Sequence, residues 1–489
     1  MSIPDILNAP LGQMSSTAYD TAWIALLDDI DVSLSNTALT WLEEHQLPDG
    51  SWGAEAPMYY HDRVACTLAA MLALVTQGRR ATDKKAIARG LLALESITSN
   101  ATRGLMVEAN GATAGFELII PTLVKQAEQL GIIKQQGDRI LGRLSKARHA
   151  KLAKLSGMTI NRNFTSALSA EIAGKDYTTL LDTENLQEAN GSVANSPSAT
   201  AYYCTVVKPA DERALNYIRK IIRPDGGAPF VAPFEHFELA WMLWNLSMVS
   251  DPDSQKLCRQ KFDSLLQSWR PGCGIGFSAT YSVCDGDDTA VVYELAARLG
   301  LPGAIDIESL LGFEENDHFR CFPLESSPSI DVNIHVIEAL RSSGMDAKHP
   351  TMQKVVEFIR KNRIDHKYWL DKWNVSPFYT TAHAVICCSD IDDSLCEESI
   401  KWILREQHAD GSWGFYMATA EETAFCLQAL CFWRRKEKQV GSGRIELGAR
   451  WLEEHANDPL PPLWIGKALY CPELLVQSAI RSALALAGE

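Results

Sequence analysis

The octapeptide QLPDGSWG spans residues 46–53, and a near copy, QHADGSWG, spans residues 407–414. Weaker versions lie between them and begin at Gln187, Arg223 and Trp269. Self-similarity along a chain indicates a repeat architecture, in which neighbouring supersecondary units bury a shared core. The motif is therefore the first guide to the fold.

Each copy of the motif is predicted to be a turn between helices, because the flanking segments have helical periodicity. Asp-Gly tolerates a left-handed backbone, and the glutamine can bond to backbone groups at a helix end. A plain helix-joining turn explains the motif equally well. No alternating run of β-branched residues competes with this pattern. The sequence predicts an all-α protein whose helix pairs form one or two rings around a cavity suited to an apolar ligand.

Composition and charge limit the class of function. The 489 residues predict two domains, and 46% hydrophobic with 22% charged residues is ordinary for a globular protein. The formal net charge of −15 argues against nucleic acid, whose phosphates need a basic surface. There is no signal-peptide pattern and no run near eighteen apolar residues, so we expect a cytoplasmic protein without a membrane span. The twelve cysteines contain no C-x-x-C pair and are expected to be buried reduced thiols.

The segment 281–300 carries three carboxylates in four positions, Asp285, Asp287 and Asp288. An EF-hand is excluded, because the glycine and glutamate that it requires at its sixth and twelfth positions are both replaced by alanine. Asp288 stands just before a helical pattern and could cap that helix. Alternatively, three crowded carboxyl groups partly removed from water could keep one proton near neutral pH. The residues alone leave capping and proton donation open.

A second D-x-D-D pattern is formed by Asp390, Asp392 and Asp393, but Thr-Ala does not follow it. It precedes an acidic helix start and is interpreted as a solvated N-terminal cap. His335 falls in the apolar helical segment IDVNIHVIEAL, where a lone histidine is most often a core residue.

The two Q-x-x-x-G-x-W repeats together with D-x-D-D-T-A resemble class II terpene cyclases, the family of squalene-hopene cyclase and copalyl diphosphate synthase. SSTAYDTAWIA, at residues 15–25, resembles the start of the diterpene branch. The resemblance is strongest to bacterial enzymes such as halimadienyl and kolavenyl diphosphate synthases. Further similar segments are GFELIIPTL at 115–123, NGSVANSPSATAYY at 190–203, DKWNVSPFYTTAH at 371–383 and PLWIGKALYCP at 462–472.

The resemblance implies a fold of two α-barrel domains, called β and γ, with the active site between them. Residues 1–29 would hold the first helix of β, residues 30–212 an inserted γ domain, and residues 213–489 the remainder of β.

The resemblance also implies an isomerase that protonates geranylgeranyl diphosphate at the end remote from the diphosphate. Asp287 would be the acid, with Asp285 and Asp288 holding its geometry and acidity. His335 resembles the histidine that bonds to the acid in squalene-hopene cyclases. Ring closure would end by loss of a proton, and the diphosphate would be retained.

A carbocation needs a dry cavity with aromatic walls. The candidates are Trp241, Trp244, Tyr281, Trp373, Phe378 and Tyr379. The diphosphate calls for magnesium and basic side chains. Lys151, in KARHAKLAKL, and Lys372, in DKW, are the candidates by resemblance, although either could be a solvated surface lysine.

The chain departs from plant ent-copalyl enzymes, which hold the terminating water with a His and an Asn. Ala170 and Phe230 stand at those two positions. Without that base the first cation should live longer, so we predict a rearranged halimadienyl or clerodienyl (kolavenyl) diphosphate. The alternatives are a copalyl-type product or a drimenyl-type cyclase that acts on farnesyl diphosphate. The product would pass to a separate class I terpene synthase or a phosphatase.

Three other classes of protein were weighed. Glycoside hydrolases with helical rings also pair carboxylates, but in an open polar cleft. Prenyltransferase β-subunits share the ring fold but need a zinc site. A helical scaffold without activity has no use for an Asp-rich turn flanked by aromatic residues.

Overall fold

The structure is a computed structural model that describes residues 2–12, 14–107, 113–133, 144–154, 157–325, 327–436 and 440–489. The described chain is mostly helical, as the sequence predicts. The helices of its first half are α1 Ile3–Asn8, α2 Ala18–Ala25, α3 Val32–Glu44, α4 Tyr60–Gln77, α5 Ala81–Val107, α6 Phe116–Gln129, α7 Leu144–Lys154, α8 Pro197–Tyr202 and α9 Glu212–Ile221. Tight 3₁₀ turns occupy Thr165–Ala173 and Thr178–Leu180, and a wide π turn occupies Tyr203–Val207.

The second half continues the helical pattern. Its helices are α10 Glu235–Leu246, α11 Pro252–Ser268, α12 Gly286–Arg298, α13 Glu308–Leu311, α14 Ile330–Ser342, α15 Pro350–Lys361, α16 Pro377–Cys388, α17 Asp393–Glu406, α18 Ala420–Arg435, α19 Ser442–His455 and α20 Glu473–Gly488. Two antiparallel pairs of two-residue strands are present, β1 Ser16–Thr17 with β2 Ala228–Pro229, and β3 Trp464–Ile465 with β4 Leu469–Tyr470.

Six buried helices of the second half form a closed inner ring. Around this ring, α10, α12, α14, α16, α18 and α20 each contact the next, and α20 returns to α10. The outer helices α11, α15, α17 and α19 pack against them and expose their polar faces. A helix apolar on all sides must be covered all round, which separates the inner helices from the amphipathic outer ones.

A second, smaller ring lies in the first half. It runs through α2, α4, α6, the 3₁₀ turn Thr165–Ala173 and α8, and α8 returns to α2. Within residues 1–29, α1 packs on the larger ring, against α11 and α20, whereas α2 belongs to the smaller ring. After residue 212, α9 packs against α8 of the smaller ring. The domain boundaries given above stay a prediction.

The repeated motif fastens each turn to the next helix. Gln46 donates from Nε2 to the carbonyls of Gly50 at 2.9 Å and Ala86 at 2.8 Å, and buried Trp52 donates to the carbonyl of Leu42 at 2.7 Å. Gly50 has a φ of +89° and lies so close to a neighbouring helix that no side chain fits there. The structure therefore favours a fastening role over a plain turn. The second copy repeats these bonds, from Gln407 to Gly411 and Arg444, and from Trp413 to Ile403.

The cysteine prediction is wrong at one pair. Cys273 and Cys284 are joined in a disulfide with their Cα atoms 6.2 Å apart, whereas the other ten cysteines are free and buried. Cys284 lies eleven positions after Cys273, and the loop between them doubles back, which spacing alone does not reveal. No helix within the described residues has the length and apolar character needed to cross a bilayer.

Candidate active site

The D-x-D-D segment forms the start of α12. The Asp285 carboxylate caps the helix by accepting a hydrogen bond from the Asp288 backbone N–H at 2.8 Å. The sequence favours Asp288 as the cap, and this is wrong, because α12 begins at Gly286 and Asp288 lies inside its first turn. Backbone bonds from Asp285 to Ile275 and from Gly286 to Cys321 fix the segment in place.

The other D-x-D-D pattern lies at the start of α17. Asp392 caps that helix by accepting from the Ser394 N–H at 3.0 Å, and it also pairs with Arg360 at 2.8 Å. Asp390 is exposed. The interpretation as a solvated cap agrees with this placement.

Asp287 is buried and lines an internal cavity. Its Oδ1 lies 2.7 Å from Nδ1 of His335, the residue that the sequence singled out as its partner. Burial raises the pKa of Asp287 well above its ordinary value, and the negative charges of Asp285, Asp371 and Glu325 add to the effect. A carboxyl group in these surroundings keeps its proton at neutral pH.

The two flanking aspartates share this environment. Burial raises the pKa of Asp285 to about 6. Burial, with the charge of Asp285 next to it, raises the pKa of Asp288 well above its ordinary value. Asp285 Oδ2 and Asp288 Oδ1 are buried without a hydrogen-bond partner in the described part of the chain. The helix start therefore places two carboxyl groups with strongly raised pKa values, Asp287 and Asp288, beside Asp285 at one end of the cavity.

A chain of buried polar groups extends behind Asp287. His335 Nε2 lies 2.9 Å from Nδ1 of His383, and Asp331 Oδ1 lies 3.9 Å from both nitrogens. Tyr379 donates its hydroxyl to Asp331 Oδ2 at 2.6 Å, and Trp241 donates Nε1 to the Tyr379 oxygen at 3.2 Å. Burial raises the pKa of Asp331 to about 8. Burial, with the charge of His335, lowers the pKa of His383 well below its ordinary value.

Sequence reasoning missed Asp331 and His383. Each lies one helical turn from a residue that it did select, Asp331 before His335 on α14 and His383 after Tyr379 on α16. Residues four apart on a helix share a face, so this spacing was the available signal.

Asp331, His335 and His383 are also arranged so that three ligand atoms lie within 4.8 Å of one another. Two imidazole nitrogens and one carboxylate do not suit magnesium, which prefers six oxygen ligands. The nitrogens are at hydrogen-bond distance, and a hydrogen bond between the two rings accounts for their placement.

The cavity has a volume of about 100 Å³, and its walls are mainly aromatic. Two predicted lining residues belong to it, Trp241 and Trp373, and so does Phe230, which stands at one of the two positions of the missing base. Its polar lining is concentrated at Asp285, Asp287, Asp288 and Asp331. The other lining residues are Leu168, Val231, Phe234, Phe237, Phe277, Cys321, Phe322, Trp464, Ile465 and Tyr470.

The remaining aromatic candidates lie elsewhere. Trp244 stacks on His383 with ring centres 4.4 Å apart, and Tyr379 holds Asp331. Tyr281 stacks on Phe277 at 4.0 Å and lines a neighbouring polar cavity. Phe378 stacks on Trp402 at 4.7 Å, on the outer side of α16. These rings support the wall rather than form its surface.

Ala170 lies outside the described cavity lining, whereas Phe230 belongs to it. Ala170 is fully buried in the 3₁₀ turn Thr165–Ala173 and is not part of the described lining. Phe230 reaches the cavity, and its ring lies against Gly466. Lys467, the residue after Gly466, is buried and donates from Nζ to the carbonyl of Leu168 at 2.7 Å.

The two lysine candidates are each paired with a glutamate. Lys372 pairs with Glu325, and its Nζ lies 4.8 Å from the ring centre of Trp373 in the cavity wall. Lys151 pairs with Glu117 on α6. Among the described lining residues neither lysine appears. Lys372 therefore lies beside the cavity wall in the larger ring, and Lys151 lies on the smaller ring.

Comparison with known proteins identifies the family. Residues 322–430 match the family model of the squalene-hopene cyclase C-terminal domain. The chain is 46% identical over 493 residues to the "Type B diterpene cyclase" of Mycobacterium tuberculosis, covering 99% of this chain and 98% of that one. The chain belongs to the class II diterpene cyclase family. This cyclase is accordingly an enzyme of the cyclisation class that the sequence predicts.

More distant relatives agree along the whole chain. The cyclase is 27% identical to an ent-copalyl diphosphate synthase of a Streptomyces species, over 99% of this chain and 94% of that one. The solved ent-copalyl diphosphate synthase of Streptomyces platensis matches with a TM-score of 0.81 and 25% identity, over 100% of this chain and 98% of that one. The predicted all-α class is confirmed.

Proposed function

We propose that this cyclase converts geranylgeranyl diphosphate into a bicyclic diterpenyl diphosphate by protonation, with the diphosphate retained. The observation that carries the proposal is Asp287, a buried carboxyl group bonded to His335 at 2.7 Å and presented to a mainly aromatic cavity. The family to which the chain belongs supports the same chemistry.

The reaction begins at the terminal alkene of the substrate. The alkene π electrons take the proton of Asp287, which leaves a tertiary cation on the chain. The next two alkenes attack in turn and close two rings, and loss of a proton next to the remaining cation forms a new carbon–carbon double bond. The cavity excludes water by its apolar lining, while Trp241, Phe277 and Trp373 offer ring faces to the cation. Because no bond to the diphosphate breaks, the product keeps it.

The residues that bind the diphosphate, and the use of magnesium, remain proposals. Magnesium at such sites is held by one or two carboxylates together with the substrate phosphates. Glu117 beside Lys151 provides a carboxylate oxygen and a cation of this kind, so these two residues fit the ion. Glu325 and Lys372 are close enough to Asp287 to act on its pKa, which favours the acid end of the cavity for this pair. When bound, magnesium would neutralise part of the diphosphate charge. Lys151 would exchange its glutamate partner for phosphate oxygens.

A rearranged product is supported by the apolar cavity wall at Phe230. Phe230 is apolar, and the described lining places its carboxyl groups together at the α12 and α14 end. A cation formed among such side chains meets no base at once, which leaves time for hydride and methyl shifts. We therefore propose a halimadienyl or clerodienyl diphosphate, consumed by a separate class I synthase or a phosphatase. A cytoplasmic location stays a prediction from sequence.

The test is turnover of geranylgeranyl diphosphate with magnesium, followed by dephosphorylation and identification of the alcohol. Asp287→Asn keeps the side-chain shape but removes the acid, so kcat should fall by about 10²- to 10⁴-fold or more. Asp392→Asn, the same change in the surface D-x-D-D pattern, should keep full turnover. Copalyl alcohol as the main product, or preference for farnesyl diphosphate, would contradict the proposed product or substrate.

A further inference from the structure

His383 occupies a position that the acid itself does not explain. It lies on α16, fully buried, with Nδ1 2.9 Å from Nε2 of His335. Its second ring nitrogen, Nε2, has no hydrogen-bond partner within the described part of the chain. Trp244 stacks on one face of the ring, and Phe425 meets it edge-on with ring centres 5.4 Å apart. The His383 ring is thus held in place with one polar contact, which goes to His335.

Carboxyl groups face the two histidines from α12 and α14. Asp331 is the nearest carboxyl, 3.9 Å away, and its other oxygen takes the Tyr379 hydroxyl. Glu294 on α12 accepts from Trp244 Nε1 and pairs with Arg298. The side chains that contact His383 from α10 and α18 are Trp244 and Phe425, which carry no charge. A single hydrogen therefore lies between His335 Nε2 and His383 Nδ1, and one of the two rings supplies it.

The origin of that hydrogen decides where the proton of the acid points. If His335 supplies it from Nε2, its Nδ1 is bare, and the Asp287 proton is drawn onto Oδ1, away from the cavity. If His383 supplies it, His335 carries its own proton on Nδ1 and donates to Asp287 Oδ1. The acid proton then stays on Oδ2, which is free to meet the substrate. Only the second arrangement makes Asp287 a donor to the cavity.

We propose that His383 is a positioning residue, which fixes the tautomer of His335 by donating from Nδ1, and thereby directs the proton of Asp287 into the cavity. This inference rests on the proposed protonation of the substrate. A wrong tautomer is costly in catalysis, on the order of 10⁴-fold when the orienting aspartate of the serine-hydrolase triad is lost. His383 acts one residue further from the substrate, so we expect a smaller effect.

Two variants separate hydrogen bonding from packing. His383→Phe keeps an aromatic ring between Trp244 and Phe425 but removes the donor, and should lower kcat by about 10- to 100-fold with KM within about twofold of wild type. His383→Asn can place an amide N–H near the former Nδ1 and should recover most of the lost kcat. Near-UV circular dichroism and thermal unfolding check that both variants fold.

The tautomer itself is read by NMR in the substrate-free protein with ¹⁵N-labelled histidine, which does not depend on activity. The His335 signals are assigned by their loss in His335→Asn. In wild type and His383→Asn, His335 should carry one proton, on Nδ1, and in His383→Phe the Nε2–H form should become populated. This readout holds even where a variant has no turnover.

Several results would overturn the inference. They are a wild-type His335 protonated on Nε2 or on both nitrogens, an unchanged tautomer with unchanged kcat in His383→Phe, or stoichiometric metal bound by the purified protein and lost with the His383 variants. Failure of the wild type to cyclise geranylgeranyl diphosphate would instead refute the proposed function. The NMR measurement would still test the tautomer of His335 independently of that result.

Discussion

Asp331 offers a test of whether the acid end of the cavity holds protonated carboxyl groups. Burial raises its pKa to about 8, whereas an aspartate in an unfolded chain titrates near 3.9. Between these values the folded protein holds a proton that the unfolded chain has released. The stabilising effect is therefore complete below about pH 4 and is lost as the pH rises toward 8.

The size of the effect follows from linkage. One such group lowers the free energy of unfolding by about 1.4 kcal/mol for each pH unit between the two pKa values. From pH 5 to pH 7 the wild type should lose about 3 kcal/mol through Asp331 alone. Asp331→Asn has no proton to release and should lack this part of the decline. Its amide oxygen can still accept the Tyr379 hydroxyl.

The assay is urea unfolding at pH 5, 6 and 7 for both proteins, followed by circular dichroism. The difference in unfolding free energy between Asp331→Asn and wild type should grow by about 3 kcal/mol from pH 5 to pH 7. Asp458→Asn, on the exposed surface, should leave the difference from wild type constant. Parallel curves for wild type and Asp331→Asn would show that Asp331 is ionised in the folded protein, and would refute the reasoning.

Three further predictions concern product, stability and metal. Phe230→Asn places a hydrogen-bonding group in the cavity wall and should shift the product toward an unrearranged copalyl skeleton, measured by gas chromatography of the alcohols; an unchanged product ratio counts against this role of the wall. Gln407→Ala removes two buried hydrogen bonds to backbone carbonyls and should cost about 2 kcal/mol in urea unfolding, and a cost near zero would favour a plain turn. EDTA should lower turnover and added magnesium restore it, whereas full activity in EDTA would exclude the ion.

The sequence predicted those features that short-range patterns determine. The turn of the repeated motif depends on residues within one octapeptide, and Gln46 and Gln407 make the bonds that their spacing indicates. The D-x-D-D segment likewise carries its chemistry within four positions. Only the cap was misplaced, by three residues, because a helix can begin at either end of an acidic run.

Features that depend on the closing of the larger ring could not be predicted in the same way. Asp287, His335 and His383 come from α12, α14 and α16, and they meet because these helices are neighbours around one centre. Periodicity gives the face of each helix but not which faces converge. The prediction of the cavity lining was partly wrong for the same reason, since Tyr281 and Tyr379 lie one layer behind the cavity surface.

The central claim is that Asp287 delivers a proton from solvent to the remote end of the substrate. Turnover in D₂O, with the product analysed by mass spectrometry and NMR, tests this directly. The account predicts one deuterium per molecule, on the ring carbon derived from the terminal alkene, with the diphosphate intact and no product from Asp287→Asn. Unlabelled product, release of diphosphate, or normal turnover by Asp287→Asn would contradict it.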